Sequence, residues 1–153
     1  MIKLIYTFFL GLLLATFVGV GVSTFYISPT APETPTVYAK PIVNDPTPEE
    51  QQQLEQFDQQ QKQYLKELSI YNRNVSIIVL AFSLVLLVIA LSFARHLDII
   101  ADGILLGSVF TLIYSIGRGL ATEDPKFRFI VTSVGLLVAL ILGYVKFIRP
   151  KSR

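Results

Sequence analysis

The sequence contains no cysteine, no tryptophan, one histidine and few charged residues. The absence of cysteine excludes disulfides, thiolate nucleophiles, Cys-ligated zinc or iron–sulfur clusters, and palmitoylation. Charged residues make up 16% of the 153 residues, which is too few for an ordinary water-soluble surface. The formal net charge of +2 is too small to indicate a nucleic-acid partner. These shortages indicate a membrane protein and argue against a nucleic-acid-binding domain.

Recognisable catalytic and metal-binding motifs are also missing from the chain. It has no GxSxG elbow, Walker loop, HExxH pair or dinucleotide-binding fingerprint. The single histidine, His96, has no companion ligand at a metal-binding spacing. We therefore expect no enzymatic activity, no metal site and no cofactor.

Long apolar runs dominate what the chain does contain. Hydrophobic residues make up 52% of the chain, and the mean hydropathy is +0.58. Four stretches can cross about 30 Å of hydrocarbon as helices, namely residues 4–25, 75–94, 99–117 and 127–148, before a basic tail at 149–153. The sequence thus predicts an all-α membrane protein with four transmembrane helices. The first run could also be a cleaved signal peptide, but its length favours a retained anchor.

Two segments of different composition separate the first span from the second. Prolines recur through residues 26–47, which predicts an extended, polyproline-like strand outside the membrane. The motif Thr-Pro-Glu-Glu at 47–50 predicts a helix start with a capping box. Residues 48–74 then form a Gln-rich amphipathic helix, which we call the arm. Neither glycine nor proline occurs between Glu49 and Asp102, so the arm is predicted to continue directly into the second span.

One stripe of the predicted arm is mainly apolar and has the spacing of a heptad seam. Its candidate packing or interaction residues are Leu54, Phe57, Tyr64, Leu68 and Tyr71. The stripe could join two copies as a coiled coil, although aromatic residues suit that role less well than leucine. It could instead carry the proline-rich strand of the same chain, as aromatic grooves carry proline-rich ligands. We favour this hairpin, which would leave the polar back of the arm for a partner.

Small residues recur at every fourth position in three of the spans, a pattern that lets helices approach closely. The candidate helix-packing positions are Gly11, Ala15 and Gly19 in the first span, Gly103 and Gly107 in the third, and Gly135, Ala139 and Gly143 in the fourth.

Charged residues near the third span are the remaining candidates for a functional site. Asp98 and Asp102 share one helix face and could form a cation or proton site. Their position in the first turns favours a plainer role, in which carboxylates stabilise the positive end of the helix. At the other end of this span, Arg118 could pair with Glu123 or Asp124, but a solvated loop charge is the more common arrangement.

The distribution of Lys and Arg favours cytoplasmic N and C termini in the plasma membrane, with the arm outside. Packing ridges, a protruding arm and the lack of catalytic motifs predict a non-enzymatic membrane scaffold or accessory subunit. Its expected partners are the lipid bilayer and either another protein or a second copy. The alternative is one subunit of an oligomeric small-solute transporter or channel. Its pore would be lined by the hydroxyl groups of Ser83, Thr111, Ser115 and Thr132.

Overall fold

The structure is a computed structural model that describes residues 1–35, 47–93 and 98–148. The described residues form helices and no β-strand. The helices are α1 (Ile2–Phe25), α2 (Pro48–Phe93), α3 (Asp98–Leu120) and α4 (Pro125–Gly143), and α4 continues as a π-helical turn at Tyr144–Ile148. All four α-helices are long and apolar enough to cross a membrane. The prediction of an all-α, multi-pass membrane protein is therefore confirmed.

The predicted helix start at residues 47–50 is confirmed. The Thr47 backbone N–H donates to Glu50 Oε2 over 3.0 Å, and the Glu50 N–H donates to Thr47 Oγ1 over 3.3 Å. This reciprocal pair satisfies two amides that the first turn of a helix leaves free. From this cap α2 runs 46 residues without interruption, which corresponds to about 69 Å at 1.5 Å per residue. The arm and the second span are one helix.

Helix α4 also begins at a capping residue. Asp124 Oδ1 accepts the backbone N–H of Lys126 over 2.9 Å, and Pro125 occupies the first turn. Proline is tolerated there because the first amides of a helix have no partner within it. Because α3 ends at Leu120 and α4 begins at Pro125, the turn between them is short.

Helix α3 lies at the centre of the bundle, because α1 and α2 each pack mainly on α3 and little on one another. One buried cluster joins Val18 and Val22 of α1 to Val75 and Val79 of α2. A second joins α2, α3 and α4 through Leu87, Leu112 and Val138. The outward faces of α1, α3 and α4, and of the part of α2 that follows the arm, are largely apolar and exposed, as expected of surfaces that meet lipid.

Several predictions concern residues outside the described part of the chain. They are the proline-rich strand over 36–46, Ala94 as the last residue of the predicted second span, the prediction for His96, and the basic tail at 149–153. The backbone of Asp98 is described but its side chain is not.

Candidate functional site

The predicted seam of the arm is partly covered. Leu54, Phe57, Tyr64 and Leu68 are half-buried, and Tyr71 is buried. The back of the arm is exposed and carries mainly Gln, Glu, Asp and Lys side chains. A hydrogen bond of 3.0 Å links Gln63 Nε2 to Glu67 Oε1 across one helical turn of this polar surface. The arm therefore has a stripe that is partly protected from solvent and a solvated back.

The described part of the proline-rich segment shows a matching periodicity. Pro29, Pro32 and Pro35 are half-buried, whereas the residues between them are exposed. A spacing of three is the repeat of a polyproline helix, so these prolines lie on one face. A shallow cavity of about 270 Å³ lies where the segment leaves α1 and meets α2. It is lined by Tyr26, Ile27, Ser28, Pro29, Glu67, Ile70 and Tyr71. At its start, then, the segment lies against the base of the arm, as the hairpin hypothesis requires.

The base of the arm is held by a cluster of five polar and aromatic residues, which we call the arm-base cluster: Tyr26, Tyr71, Asn72, Tyr114 and Arg118. The rings of Tyr26 and Tyr71 stack with centroids 5.2 Å apart and an interplanar angle of 7°. The Tyr71 hydroxyl donates to the Tyr26 carbonyl oxygen over 3.3 Å. The cluster thereby joins the end of α1 to the middle of α2, where the arm enters the bundle.

Arg118 connects this cluster to α3. Its Nε donates to the Tyr114 hydroxyl and its Nη1 donates to Asn72 Oδ1, each over 3.0 Å. The guanidinium carbon lies 5.8 Å from the Tyr71 ring centroid and 5.4 Å from that of Tyr114, within the range of cation–π attraction. Arg118 adopts neither arrangement considered from the sequence, because it is half-buried and its hydrogen-bond partners are Tyr114 and Asn72 instead of a carboxylate of the following turn. Asn72, which is only 5% exposed, provides the polar acceptor instead.

Below the cluster, serine pairs join α2 and α3. The Ser76 hydroxyl donates to the Ser115 carbonyl oxygen, and the Ser115 hydroxyl donates to the Ser76 carbonyl oxygen, each over 2.8 Å. Two turns deeper, Ser83 donates to the Ser108 carbonyl oxygen over 3.0 Å. Above the cluster, the Glu123 backbone N–H donates to Ser69 Oγ over 2.9 Å. The buried serine bonds within the spans fix the register of α2 and α3 in a region where lipid offers no competing partner, whereas the exposed bond of Ser69 ties the arm to the α3–α4 turn.

The small residues of α1 and α3 meet at a close crossing. A Cβ built on Gly107 would lie 2.9 Å from the Leu14 Cβ and 3.2 Å from the Gly11 carbonyl oxygen, and one on Gly11 would lie 3.1 Å from the Gly107 nitrogen. A Cβ on Gly103 would meet the side chain of Leu10 at 2.6 Å. Further along α1, Ala15 is half-buried. A Cβ on Gly19 would lie 3.9 Å from the Tyr114 ring, an ordinary contact distance.

The small residues predicted for packing in α4 differ in how closely they approach a neighbouring helix. A Cβ on Gly135 would lie 2.5 Å from Ile116 of α3, so this position is a close contact. Ala139 is exposed, and no described atom lies within 4 Å of a Cβ placed on Gly143. Gly119 of α3, in contrast, sits where three helices meet, because its Cβ would approach Val131 at 2.6 Å and Ser76 Oγ at 2.9 Å.

Of the two predicted acidic residues of α3, Asp102 has a described partner. Its Oδ1 accepts a hydrogen bond from Lys146 Nζ over 2.7 Å, and both side chains are about half exposed. This ion pair ties the start of α3 to the end of α4. Among the described residues, no group of three His, Cys, Asp or Glu side chains could hold a metal ion.

The hydroxyl groups proposed to line a pore are engaged in helix contacts. Ser83 and Ser115 bond the backbone of α3 and α2, as described above. Thr111 is buried and donates to the Gly107 carbonyl oxygen over 2.8 Å. Thr132 is exposed on α4 and donates to the Arg128 carbonyl oxygen of its own helix. The structure therefore offers no specific observation in favour of the channel alternative.

Sequence reasoning missed the α2 side of the serine contacts. Ser69, Ser76, Ser83 and Ala90 recur every seven residues, and the last three are buried. Ala101, Ser108 and Ser115 of α3, together with Thr122 of the following turn, recur at the same interval and are all buried. A search for small residues at seven-residue spacing would have found both rows.

Comparison of the chain with protein-family models, with curated proteins and with solved structures found no match.

Proposed function

We propose that this chain is a non-enzymatic scaffold or accessory subunit of the cell membrane, which presents its arm to a protein partner outside the cell. Both termini are cytoplasmic in this proposal. The observation that carries it is the continuity of α2, which passes from a solvated polar surface into a membrane span within one helix. A partner bound to the arm is thereby coupled directly to the bundle.

The arm-base cluster supports this coupling. It links the arm to α1 through stacked tyrosines and to α3 through Arg118, and we expect these contacts to restrict pivoting of the arm at its base. A rigidly mounted surface suits binding because little conformational freedom is lost when a partner docks. The partner-facing side is the exposed, Gln-rich back of the arm, since the opposite stripe is already partly covered.

Site-specific photo-crosslinking in the cells that produce the protein tests this proposal. A photoreactive phenylalanine analogue is placed at Gln56 or Gln60, both exposed on the arm, and at Leu136 as the control. Leu136 is 62% exposed on the predicted lipid-facing surface of α4. We expect a discrete protein adduct from the arm positions and none from the control. The proposal fails if the arm positions give no protein adduct, and an adduct with the mass of a dimer would identify the partner as a second copy.

The proposed orientation has a separate test, for which the lack of native cysteine removes background. Single cysteines are introduced at Gln59 of the arm and at Ser152 of the tail. A membrane-impermeant maleimide should label intact cells at position 59 and should label position 152 only after permeabilisation. The reverse pattern would invert the topology and place the arm in the cytoplasm.

A further inference from the structure

Arg118 is a half-buried cation whose described partners are all neutral. Its side chain is held by the Tyr114 hydroxyl and the Asn72 amide oxygen, and it lies against the Tyr71 and Tyr114 rings. Among the described residues, no carboxylate lies within ion-pair distance of its guanidinium. Glu123 and Asp124 of the following turn are exposed, and Asp124 is occupied in capping α4. No described side chain therefore carries a charge that neutralises Arg118, which is stabilised only in part by the tyrosine rings and the C-terminal end of α3.

A positive charge in this position favours the binding of an anion. An arginine remains protonated throughout the accessible pH range and carries five N–H donors. Two of these nitrogens already bond protein oxygens, which fixes the plane of the guanidinium. A partly buried cation without a counter-ion is unfavourable where the surroundings are poorly solvated. An oxyanion that accepts the remaining N–H groups would satisfy both the charge and the donors.

The depth of Arg118 suggests which anion is available. It lies in the last turn of α3, at the end of the apolar span Ile99–Leu120. Three tyrosines surround this level in the arm-base cluster, as is common where a span meets the head groups. We propose that Arg118 binds the phosphate of a phospholipid with a net-negative head group, in the leaflet on the arm side.

Charge balance and apolar contact decide between related ligands. A zwitterionic phospholipid brings its own ammonium group, so it would leave the positive charge of the site uncompensated. Exposed cations at the same end of the bundle, Arg73, Lys126 and Arg128, outnumber the exposed carboxylates of the α3–α4 turn, Glu123 and Asp124, and also favour an anionic head group. Free inorganic phosphate has the same oxygens but no acyl chain to lie along the exposed apolar surface of α3 on the membrane side of Arg118, such as Ile113.

Native mass spectrometry of the full chain in mild detergent tests this site without any substitution. The probes are phosphatidylglycerol, phosphatidylcholine with the same acyl chains, and inorganic phosphate. We expect one retained phosphatidylglycerol with about tenfold preference over phosphatidylcholine, which corresponds to about 1.4 kcal/mol for the difference in net head-group charge. Inorganic phosphate should not be retained. Equal retention of the two lipids, or equally tight binding of free phosphate, would overturn the proposal.

Substitutions then locate the site. Arg118→Gln should abolish the preference for phosphatidylglycerol, whereas the matched control Arg73→Gln removes the same charge from an exposed position and should keep it. Equal loss in both variants would mean that general surface charge attracts the lipid, and the site would be rejected. Should Arg118→Gln fail to fold, Arg118→Lys tests the same point, because an ammonium cannot make the planar bidentate contact. Weaker retention supports the site, and unchanged retention rejects it.

Discussion

The crossing of α1 and α3 can be tested by adding a single methyl group. In Gly107→Ala the new Cβ would lie 2.9 Å from the Leu14 Cβ and 3.2 Å from the Gly11 carbonyl oxygen. Neither atom can rotate away, because one is attached directly to the backbone and the other belongs to it. The α1 backbone itself must therefore shift to accommodate alanine.

A matched control exists in the same helix. Gly117 also lies in α3, but no described atom lies within 4 Å of a Cβ placed there. Both substitutions gain up to about 1 kcal/mol from the higher helix propensity of alanine. Only Gly107→Ala has the additional cost of overpacking, about 1–3 kcal/mol. Subtracting the change in the free energy of unfolding for Gly117→Ala from that for Gly107→Ala removes the contribution of helix propensity. The difference is the cost of overpacking where α1 crosses α3.

The assay is unfolding of the detergent-solubilised protein in SDS, followed by circular dichroism. We expect Gly117→Ala to be neutral or stabilising and Gly107→Ala to have a free energy of unfolding lower than that control by about 1–3 kcal/mol. The same change in both variants would refute the reasoning, since it would mean that α1 does not depend on the absence of a side chain at Gly107.

Three further predictions concern hydrogen bonds. Ser76→Ala and Ser115→Ala should each destabilise the bundle, and their double-mutant cycle should show a coupling of about 0.6–1.7 kcal/mol in the same SDS titration, against zero for independent sites. Thr47→Ala should cost the arm about 1 kcal/mol and speed hydrogen exchange of the Glu50 amide, while exchange within the spans stays unchanged. Lys146→Gln should lower stability by less than about 1 kcal/mol, because the ion pair is half exposed. A larger effect, or one independent of salt, would show that the pair is better shielded than its exposure suggests.

Local patterns predicted local structure well. The capping box at 47–50 is confirmed because it depends on residues three apart in one chain segment. The spans were recognisable because a membrane imposes a minimum length of apolar sequence. The uninterrupted passage of the arm into α2 followed from the lack of glycine and proline.

Contacts between helices were harder to predict from the sequence. A row of small residues indicates that close approach is allowed but does not identify the neighbour. Gly11 and Gly135 pack against α3, whereas no described atom lies within 4 Å of a Cβ placed on Gly143. The position of Arg118 could not be predicted, because a carboxylate that is nearby in the sequence need not be near in space, and the acceptor is Asn72 of α2. Side-chain partners of this kind depend on the register between helices.

The central position of α3 has a consequence for how the protein is made. The chain is synthesised from the N terminus, so α1 and α2 enter the membrane before α3 is available. Because these two helices have little contact with one another and pack mainly on α3, we expect them to remain loosely associated until it arrives. The Ser76 and Ser83 hydroxyls of α2 also gain their interhelical acceptors only at that point. A ribosome stalled before α3 has emerged should therefore hold two inserted but unassembled helices, which are open to quality-control proteases.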